Sequence, residues 1–373
     1  MDHDPLLLTP MAVRGVTLPN RVIVAPMSQY AAIAGVANDW HLVNAGRFAL
    51  GGAGAVMLEA TAVTQDGRGT PGDLGLWHDD QIAPLARIAA FLEANGSVPG
   101  IQLNHAGRKS ARRRPWHGMG VALDDEDGAK GEGGWHARGP TDRPIAPGMP
   151  PPVALSVADL DALADDWAAA ARRAAQAGFR MLEVHGAHGY LLHQFLSPLG
   201  NDREDEFGGS LDARMRFPLM VAERVRAAWP AELPLFWRVS ATDWVVGGWT
   251  LDDSVRLAAG LKERGVDVVD CSSGGFGFPP VPNTPGFQVP FARTIRERAG
   301  VLTMAVGLIL DGPQAEAILQ GGDADLISVG REALVDPNWT LRAREALTPE
   351  GDRWAHWPPQ TGWWLARRTI SPR

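Results

Sequence analysis

Short apolar runs recur along the chain, and turn residues such as glycine and proline separate them. Eight such runs occupy residues 21–27, 55–63, 98–107, 180–186, 233–241, 266–274, 301–307 and 324–330. Their nearly continuous hydrophobicity is typical of parallel strands that are covered on both faces. We therefore predict eight parallel strands in a buried sheet.

Helical patterns fill the intervals between these runs. Residues 157–178 repeat an apolar residue every three or four positions and stop at a glycine, and a second segment begins at Ser210, a predicted N-cap. Residues 251–265 and 291–300 follow the same pattern. Strands and helices that alternate eight times predict a single α/β domain over residues 1–373, a (β/α)8 TIM barrel. A doubly wound sheet is the alternative, but eight units exceed its usual number of strands.

Two segments depart from this alternation. Residues 110–152 are rich in glycine, proline and charge, and they contain Trp116 and Trp135. Because they follow the third strand, they should lie over the C-terminal mouth of the barrel, either as a partly ordered lid or as a disordered insertion. The two tryptophans favour the lid. The tail, residues 354–373, carries adjacent tryptophans that are costly to leave in water.

Composition excludes several classes of function. The net charge of −8 argues against a nucleic-acid or anionic-membrane partner, which would require a basic face. Cys271 is the only cysteine, so no internal disulfide and no thiolate-held zinc or iron–sulfur cluster can form. The first residues do not have the pattern of a signal peptide, and no apolar run is long enough to span a bilayer. We expect a cytoplasmic protein.

Proton-bearing side chains cluster after the fourth strand, in the stretch LEVHGAHGYLLHQFLSP. His185, His188, Tyr190 and His193 fall within nine positions, which raises the alternatives of a metal site, a proton relay or a polar turn. The histidine spacing is three rather than the four of helical zinc motifs, and the other strand ends offer few carboxylates. We therefore predict no bound metal.

Glycine-rich segments bear on the cofactor. Residues 51–56 precede a strand and residues 274–280 run into prolines, so neither fits the dinucleotide loop that follows a strand and opens a helix. Gly307 and Gly330 follow the last two strands, and Arg331 adds a fixed positive charge where this fold commonly binds phosphate. From these residues alone, a phosphate site and a tight turn with a surface arginine stay equally open.

The chain resembles the Old Yellow Enzyme family of flavin ene-reductases, and within it the bacterial subclass of xenobiotic reductases and small thermostable homologues. The resemblance rests on the motifs LPNRVIVAPMSQY, EATAVTQDGR, GIQLNHAGRK, HGAHGYLLHQFLSPLGNDREDEFGGS, RVSATD, DCSSGG and ADLISVGREALVDP, in the family's order. It implies FMN bound without a covalent link at the barrel mouth, and NADPH or NADH as a transient reductant. It also implies small-molecule substrates, namely enones and maleimides, with nitro compounds as a second class.

The resemblance implies a role for particular residues. The cofactor would contact Ala25, Pro26, Met27, Ser28, Ala60, Gln102, Arg238, Gly307, Gly330 and Arg331. His185 and His188 would donate hydrogen bonds to the substrate carbonyl oxygen, Tyr190 would protonate the α-carbon, and Tyr30 would be a second substrate contact. His193 lies beyond the motif, and we interpret it as structural.

The chain departs from the family pattern at two places. Ser28 stands where the subclass commonly has a cysteine that tunes the flavin. Near the C-terminus, homologues lend an arginine or a tryptophan to a neighbouring subunit, and here Trp363, Trp364, Arg367 and Arg368 are the candidates. We expect a homo-oligomer, a dimer or tetramer, with Trp364 at the substrate site. The alternatives are reduction of nitro compounds or a dienoyl thioester, and a non-redox phosphate-binding barrel, which would be colourless.

Overall fold

Eight parallel strands close into a barrel in the computed structural model, which describes residues 4–146, 148–277, 279–349 and 352–368. The strands are β1 Val22–Val24, β2 Ala55–Ala62, β3 Val98–Asn104, β4 Met181–Gly186, β5 Leu235–Ser240, β6 Val268–Ser272, β7 Leu302–Ala305 and β8 Leu326–Val329. Each strand pairs with the next along the chain, and β8 pairs with β1, which closes the sheet. The predicted barrel is confirmed, and all eight strands lie within the predicted apolar runs.

Helices follow the strands and cover the outside of the barrel. They are α1 Asp39–Leu50, α2 Ile82–Ala94, α3 Asp125–Ala129, α4 Val157–Gln176, α5 Leu191–Leu196, α6 Leu211–Ala228, α7 Leu251–Glu263, α8 Val289–Ala299, α9 Gly312–Gln320, α10 Arg331–Val335, α11 Trp339–Leu347 and α12 Pro359–Leu365. The predicted N-cap of α6 is present, since the Ser210 side chain accepts a hydrogen bond from the Ala213 backbone N–H. This bond satisfies one of the N–H groups that every helix leaves unpaired at its start.

Side chains inside the barrel change from apolar to polar along each strand. At the start of β4, β5 and β6, the inward positions are Met181, Phe236 and Val268, which belong to a buried apolar cluster. The antiparallel hairpin of Met11–Val13 and Val16–Leu18 adds Val13 and Leu18 to that cluster. Two positions further on, the inward side chains of these strands are charged, because residues i and i+2 share a face. An apolar plug therefore fills one end of the barrel, and a polar layer lies above it.

Residues 110–146 and 148–152 contain short elements and pack on the loops that follow β1 and β2. The Trp135 indole donates a hydrogen bond to Ser110 Oγ at 2.8 Å, and its ring lies 4.4 Å from the guanidinium of Arg68. The Trp116 ring contacts the Tyr30 ring edge to face at 5.7 Å. These contacts place two tryptophans of the segment beside the C-terminal ends of the barrel strands.

The described helices include none with the length and apolar character needed to cross a membrane. In α12, Trp363 and Trp364 pack edge to face and stay half or more exposed, at 51% and 70%. The end of the predicted tail, residues 369–373, lies outside the described residues.

Candidate active site

The turn after β4 holds His185, His188 and Tyr190 in a constrained backbone. His188 has φ of +58°, a left-handed conformation that non-glycine residues adopt only when the surroundings hold it. Its N–H donates to Ser240 Oγ at 2.9 Å, and its carbonyl accepts a hydrogen bond from Lys109 Nζ at 2.5 Å. Neighbouring strands thus fix the backbone on both sides of the His188 side chain.

Two imidazole nitrogens face each other at this turn. Nε2 of His185 and Nδ1 of His188 lie 3.4 Å apart, with the rings nearly perpendicular. The Ala187 N–H donates to Nδ1 of His185 at 3.2 Å, so the proton of His185 is on Nε2. The Tyr190 ring packs on His185 at 5.0 Å, edge to face. The three side chains predicted to act on the substrate are therefore together.

Burial sets the protonation states of this cluster. It lowers the pKa of both His185 and His188 well below the ordinary value, and the nearby charges of Arg238 and Lys109 act in the same direction. Both imidazoles are therefore neutral at neutral pH and offer one N–H each. Burial, followed by the charge of Asp73, raises the pKa of Tyr190, so its hydroxyl keeps its proton. The cluster is a set of neutral donors.

The loop after β1 carries Ser28 and Tyr30 to the same region. Tyr30 has a left-handed backbone, with φ of +55°, and the N–H of Gln29 donates to the buried carboxylate of Glu59. Burial and then the charges of Asp73 and Glu59 raise the pKa of Tyr30, while a hydrogen bond with the Ser28 side chain lowers it. The Ser28 side chain therefore interacts with Tyr30. Its predicted contact with the cofactor would be a second interaction.

A cavity opens beside this cluster. Seven of the predicted cofactor residues line it: Ala25, Pro26, Met27, Arg238, Gly307, Gly330 and Arg331. The other lining residues are Ser272, Phe287, Gln288, Val306, Leu308, Ile309, Ser328 and Glu332. The structure thus brings together residues from the ends of β1, β5, β6, β7 and β8.

A buried charged network lies in the polar layer of the barrel. Arg238 Nε is 3.2 Å from Asp270 Oδ2, and the side-chain amide of Gln102 donates to Glu183 at 2.7 Å. Burial and then the negative charge of Asp270 raise the pKa of Glu183 to about 8, although Arg238 opposes this. Arg238 thus lies against Asp270, and the raised pKa of Glu183 means that this carboxyl group holds a proton at neutral pH.

The lining residues fit the FMN that the motifs imply. A Cβ at Gly307 would lie 2.6 Å from Nε2 of Gln288, so glycine keeps the backbone open at that edge of the cavity. Gly330 and Arg331 begin α10 at the same edge, where backbone N–H groups and a cation suit a phosphate. Arg238 provides a fixed positive charge inside the cavity, where it would stabilise negative charge on a flavin ring.

Three predicted cofactor residues, Ser28, Ala60 and Gln102, and the predicted substrate contact Trp364 are not among the residues that line this cavity. Ala60 and Gln102 are opposite each other on β2 and β3, outside the lining, and Gln102 is engaged with Glu183. Trp364 lies on α12 and is largely exposed, so contact with substrate would require a neighbouring subunit. The roles of all the predicted site residues stay predictions.

Four functional neighbours were not predicted from the sequence: Lys109, Glu183, Asp270 and Ser272. Lys109 is half-buried beside the Tyr190 ring, and desolvation lowers its pKa to about 8. Glu183 and Asp270 did give a signal, since each is a carboxylate in the middle of an apolar strand. A charge at such a position must be paired or functional, because burying it alone is costly.

Comparison with known proteins gives concordant matches. A family model described as the NADH:flavin oxidoreductase / NADH oxidase family matches residues 6–350. The chain is 42% identical to an NADH:flavin oxidoreductase of Gibberella zeae over 348 residues, which cover 87% of this chain and 82% of that protein. It is 39% identical to an NADPH dehydrogenase of Bacillus subtilis over 346 residues, 92% of this chain and 96% of that protein. Among solved structures, morphinone reductase superposes with a TM-score of 0.75 at 27% identity, covering 92% of this chain and 90% of that one.

Proposed function

The chain belongs to the NADH:flavin oxidoreductase / NADH oxidase family, and we propose that within it the protein is an ene-reductase. Membership makes it an oxidoreductase that uses FMN and a nicotinamide reductant, and this confirms the family, cofactor and enzyme class predicted from the motifs. The proposal concerns the electron acceptor. We infer that it is an alkene activated by a neighbouring carbonyl, as in enones and maleimides.

One observation carries the proposal: two neutral histidines present facing nitrogens beside the cavity. Nε2 of His185 and Nδ1 of His188 are 3.4 Å apart, so one substrate oxygen can accept a hydrogen bond from both. Such donors polarise a conjugated carbonyl and stabilise the negative charge that develops on its oxygen in the transition state. Neutral donors suit this task because neither gives up its proton to the product.

The hydride, the proton and the substrate contacts that the reaction needs have sources in or near this cluster. Bound FMN would supply the hydride that adds to the β-carbon. Tyr190 keeps its proton at neutral pH and forms no side-chain hydrogen bond within the described part of the chain, so its hydroxyl is free to protonate the α-carbon. Trp116 and Tyr30 form an aromatic wall at the same mouth, which suits a flat, apolar substrate.

The test is anaerobic turnover with purified, flavin-loaded protein. NADPH and NADH should each be tried against cyclic enones, N-substituted maleimides and nitroalkenes, with the saturated product identified by mass spectrometry. We expect the saturated carbonyl compound from enones and maleimides. Protein that oxidises nicotinamide with a quinone or oxygen but leaves every alkene intact would contradict the proposed acceptor. Colourless protein that cannot be reconstituted with FMN would favour the phosphate-binding barrel.

A further inference from the structure

His188 has a second contact that the proposed function does not use. Its Nε2 lies 2.7 Å from the hydroxyl of Ser272, the last residue of β6. Ser272 is buried and lines the cofactor cavity. The imidazole of His188 is thus held between His185 on its Nδ1 side and Ser272 on its Nε2 side.

The tautomer of His188 decides whether two donors exist. For His185 the backbone settles the matter, since the Ala187 N–H occupies Nδ1 and leaves the proton on Nε2. No backbone N–H contacts either ring nitrogen of His188 among the residues the structure describes. If its proton were on Nε2, the Nδ1 lone pair would accept the hydrogen bond of His185, and neither histidine would offer a donor to substrate.

Ser272 discriminates between these tautomers. A hydroxyl can donate or accept, but that of Ser272 contacts no other hydrogen-bond partner in the described ranges. If it accepted from His188, its own buried proton would have no partner, and a buried unpaired donor is costly. If it donates to Nε2 of His188, the hydroxyl proton is paired and the histidine proton is on Nδ1, where a substrate oxygen can accept it together with the His185 proton.

We propose that Ser272 is a positioning residue that donates to Nε2 of His188 and thereby keeps the His188 proton on Nδ1, facing the same point as the His185 proton. The inference rests on the proposed function only in taking that point as the site of the substrate oxygen. Ser240 has a different task, because it accepts the backbone N–H of His188 and fixes the turn without touching the ring. The proton position is therefore assigned to one hydroxyl from the neighbouring strand.

The first test reads the tautomer directly. In protein with 15N-labelled histidine, two-bond proton–nitrogen correlation spectra distinguish imidazoles protonated on Nδ1 from those protonated on Nε2, and the loss of signals in His188→Gln assigns the residue. We expect Nδ1–H for His188 in the wild type with a bound phenol, whose oxygen accepts from both histidines. In Ser272→Ala we expect the Nε2–H form in the free protein, because the hydrogen bond from His185 then decides. Wild-type His188 protonated on Nε2 in the phenol complex, or an unchanged Nδ1–H form in Ser272→Ala, would overturn the proposal.

The second test uses a ligand that needs both donors. Binding of 4-hydroxybenzaldehyde is followed by its effect on the FMN absorption bands. Ser272→Ala should bind it about tenfold more weakly, the effect of losing one oriented hydrogen bond. Ser272→Thr keeps the hydroxyl and should restore both the tautomer and most of the affinity. Ser273→Ala is the matched control: it removes the adjacent hydroxyl, which contacts Gln288 and not His188, and should change neither readout.

The two tests separate this inference from the proposed function. If wild-type His188 is protonated on Nδ1 but the protein reduces no alkene, the function fails and the assignment of Ser272 holds. If alkenes are reduced while Ser272→Ala keeps the wild-type tautomer and affinity, the function holds and the positioning role is wrong. FMN content is measured in every variant, so that a loss of cofactor is not mistaken for a loss of ligand binding.

Discussion

Buried polar groups near the barrel mouth fall into two sets that differ in how their hydrogen bonds are completed. The open set is His185, His188 and Tyr190: two imidazole nitrogens face each other, and the Tyr190 hydroxyl forms no hydrogen bond within the described residues. The paired set is His193, Asp243, Glu183 and Asp270, each of which lies against a protein side chain: His193 beside Asp243, Glu183 beside Gln102 and Asp270 beside Arg238. Within nine positions of sequence, therefore, the buried His185 and His193 and the half-buried His188 divide between the two sets.

In His193, both ring nitrogens lie against protein groups. Its Nδ1 accepts the Gly189 N–H at 2.9 Å, and its Nε2 lies 3.1 Å from Asp243, which in turn accepts from Ser197 and Trp249. Both nitrogens are occupied, so none is left for a substrate. The sequence interpretation of His193 as structural agrees with this geometry.

The comparison teaches that burial and residue type do not identify a functional histidine, whereas the partners of its two nitrogens do. It also separates two kinds of mutational effect. Changes in the open set should alter turnover with little effect on folding, because these atoms contribute little to stability. Changes in the paired set should alter folding with little effect on turnover, because removing one member of a buried pair leaves the other uncompensated.

The largest effect is expected from removing the two facing donors. The double variant His185→Ala/His188→Ala should reduce alkenes about 10⁴-fold more slowly, since each lost donor costs about a hundredfold. FMN should remain bound, because neither residue lines the cofactor cavity. Single-turnover oxidation of reduced protein by an enone measures the loss. Unchanged turnover, or a comparable loss in His193→Gln with normal stability, would break the distinction between the sets.

A large change in stability is expected at the base of the same turn. Burial alone would raise the pKa of Asp243, but His193 and the hydrogen bonds outweigh it and lower the pKa. Asp243 therefore stabilises the fold at neutral pH, and this contribution is lost as the pH falls. Asp243→Asn should cost about 3 kcal/mol in urea unfolding at pH 7 and less in acid. Turnover per folded molecule should stay within about threefold, and a large loss without unfolding would assign Asp243 to catalysis.

The pH dependence of stability tests the role of Glu183 in the paired set. Its pKa of about 8 in the fold exceeds that of an unfolded glutamate, so the folded state binds more protons between these values. Stability should therefore fall as the pH rises from about 4.5 to 8. Glu183→Gln should remove at least about 1 kcal/mol of that decline, measured by urea unfolding at several pH values. Exposed Glu263→Gln is the control, and a decline that is equal in both variants would contradict a proton on Glu183.

The tail of the chain tests whether the open set is completed by a second subunit. We propose that Trp363 and Trp364, exposed in α12, contact a neighbouring copy in a dimer or tetramer. Removing the chain from Trp363 onward should lower the oligomeric mass and raise KM about tenfold, the effect of one lost aromatic contact. Light scattering and steady-state kinetics measure both. If the truncated protein keeps the oligomeric mass and the kinetic constants of the wild type, the tail makes contacts only within its own subunit.

The sequence predicted the barrel, the open set and a structural His193, but not the carboxylates of the paired set, for a physical reason. Strand positions follow from apolar runs, and His185, His188 and Tyr190 follow from one local motif in a single turn. The partners of a buried charge, in contrast, depend on the register between strands. Arg238 lies beside Asp270 because β5 and β6 pair at those residues, although the two are far apart in sequence.

Ser28 carries the smallest predicted effect, because its hydroxyl also influences Tyr30. A hydroxyl donates hydrogen bonds better than a thiol, and at the end of β1 it would face an edge of the flavin that gains electron density on reduction. Ser28→Cys should therefore lower the midpoint potential of bound FMN, by roughly 10–20 mV for a hydrogen-bond difference of about 0.5–1 kcal/mol. Spectroelectrochemical titration of both proteins measures it.

The contact between Ser28 and Tyr30 provides the competing outcome for this change. If the Ser28 hydroxyl serves Tyr30 alone, the potential of Ser28→Cys should equal that of the wild type, and only the pKa of Tyr30 should change. Ser28→Ala is the control, because it removes the donor without adding a thiol and should lower the potential at least as far as cysteine does. The cysteine variant should also react faster with thiol reagents, since Ser28 is only half-buried. A midpoint potential that equals or exceeds the wild-type value in both variants would mean that the Ser28 side chain hydrogen-bonds to protein groups and not to the flavin.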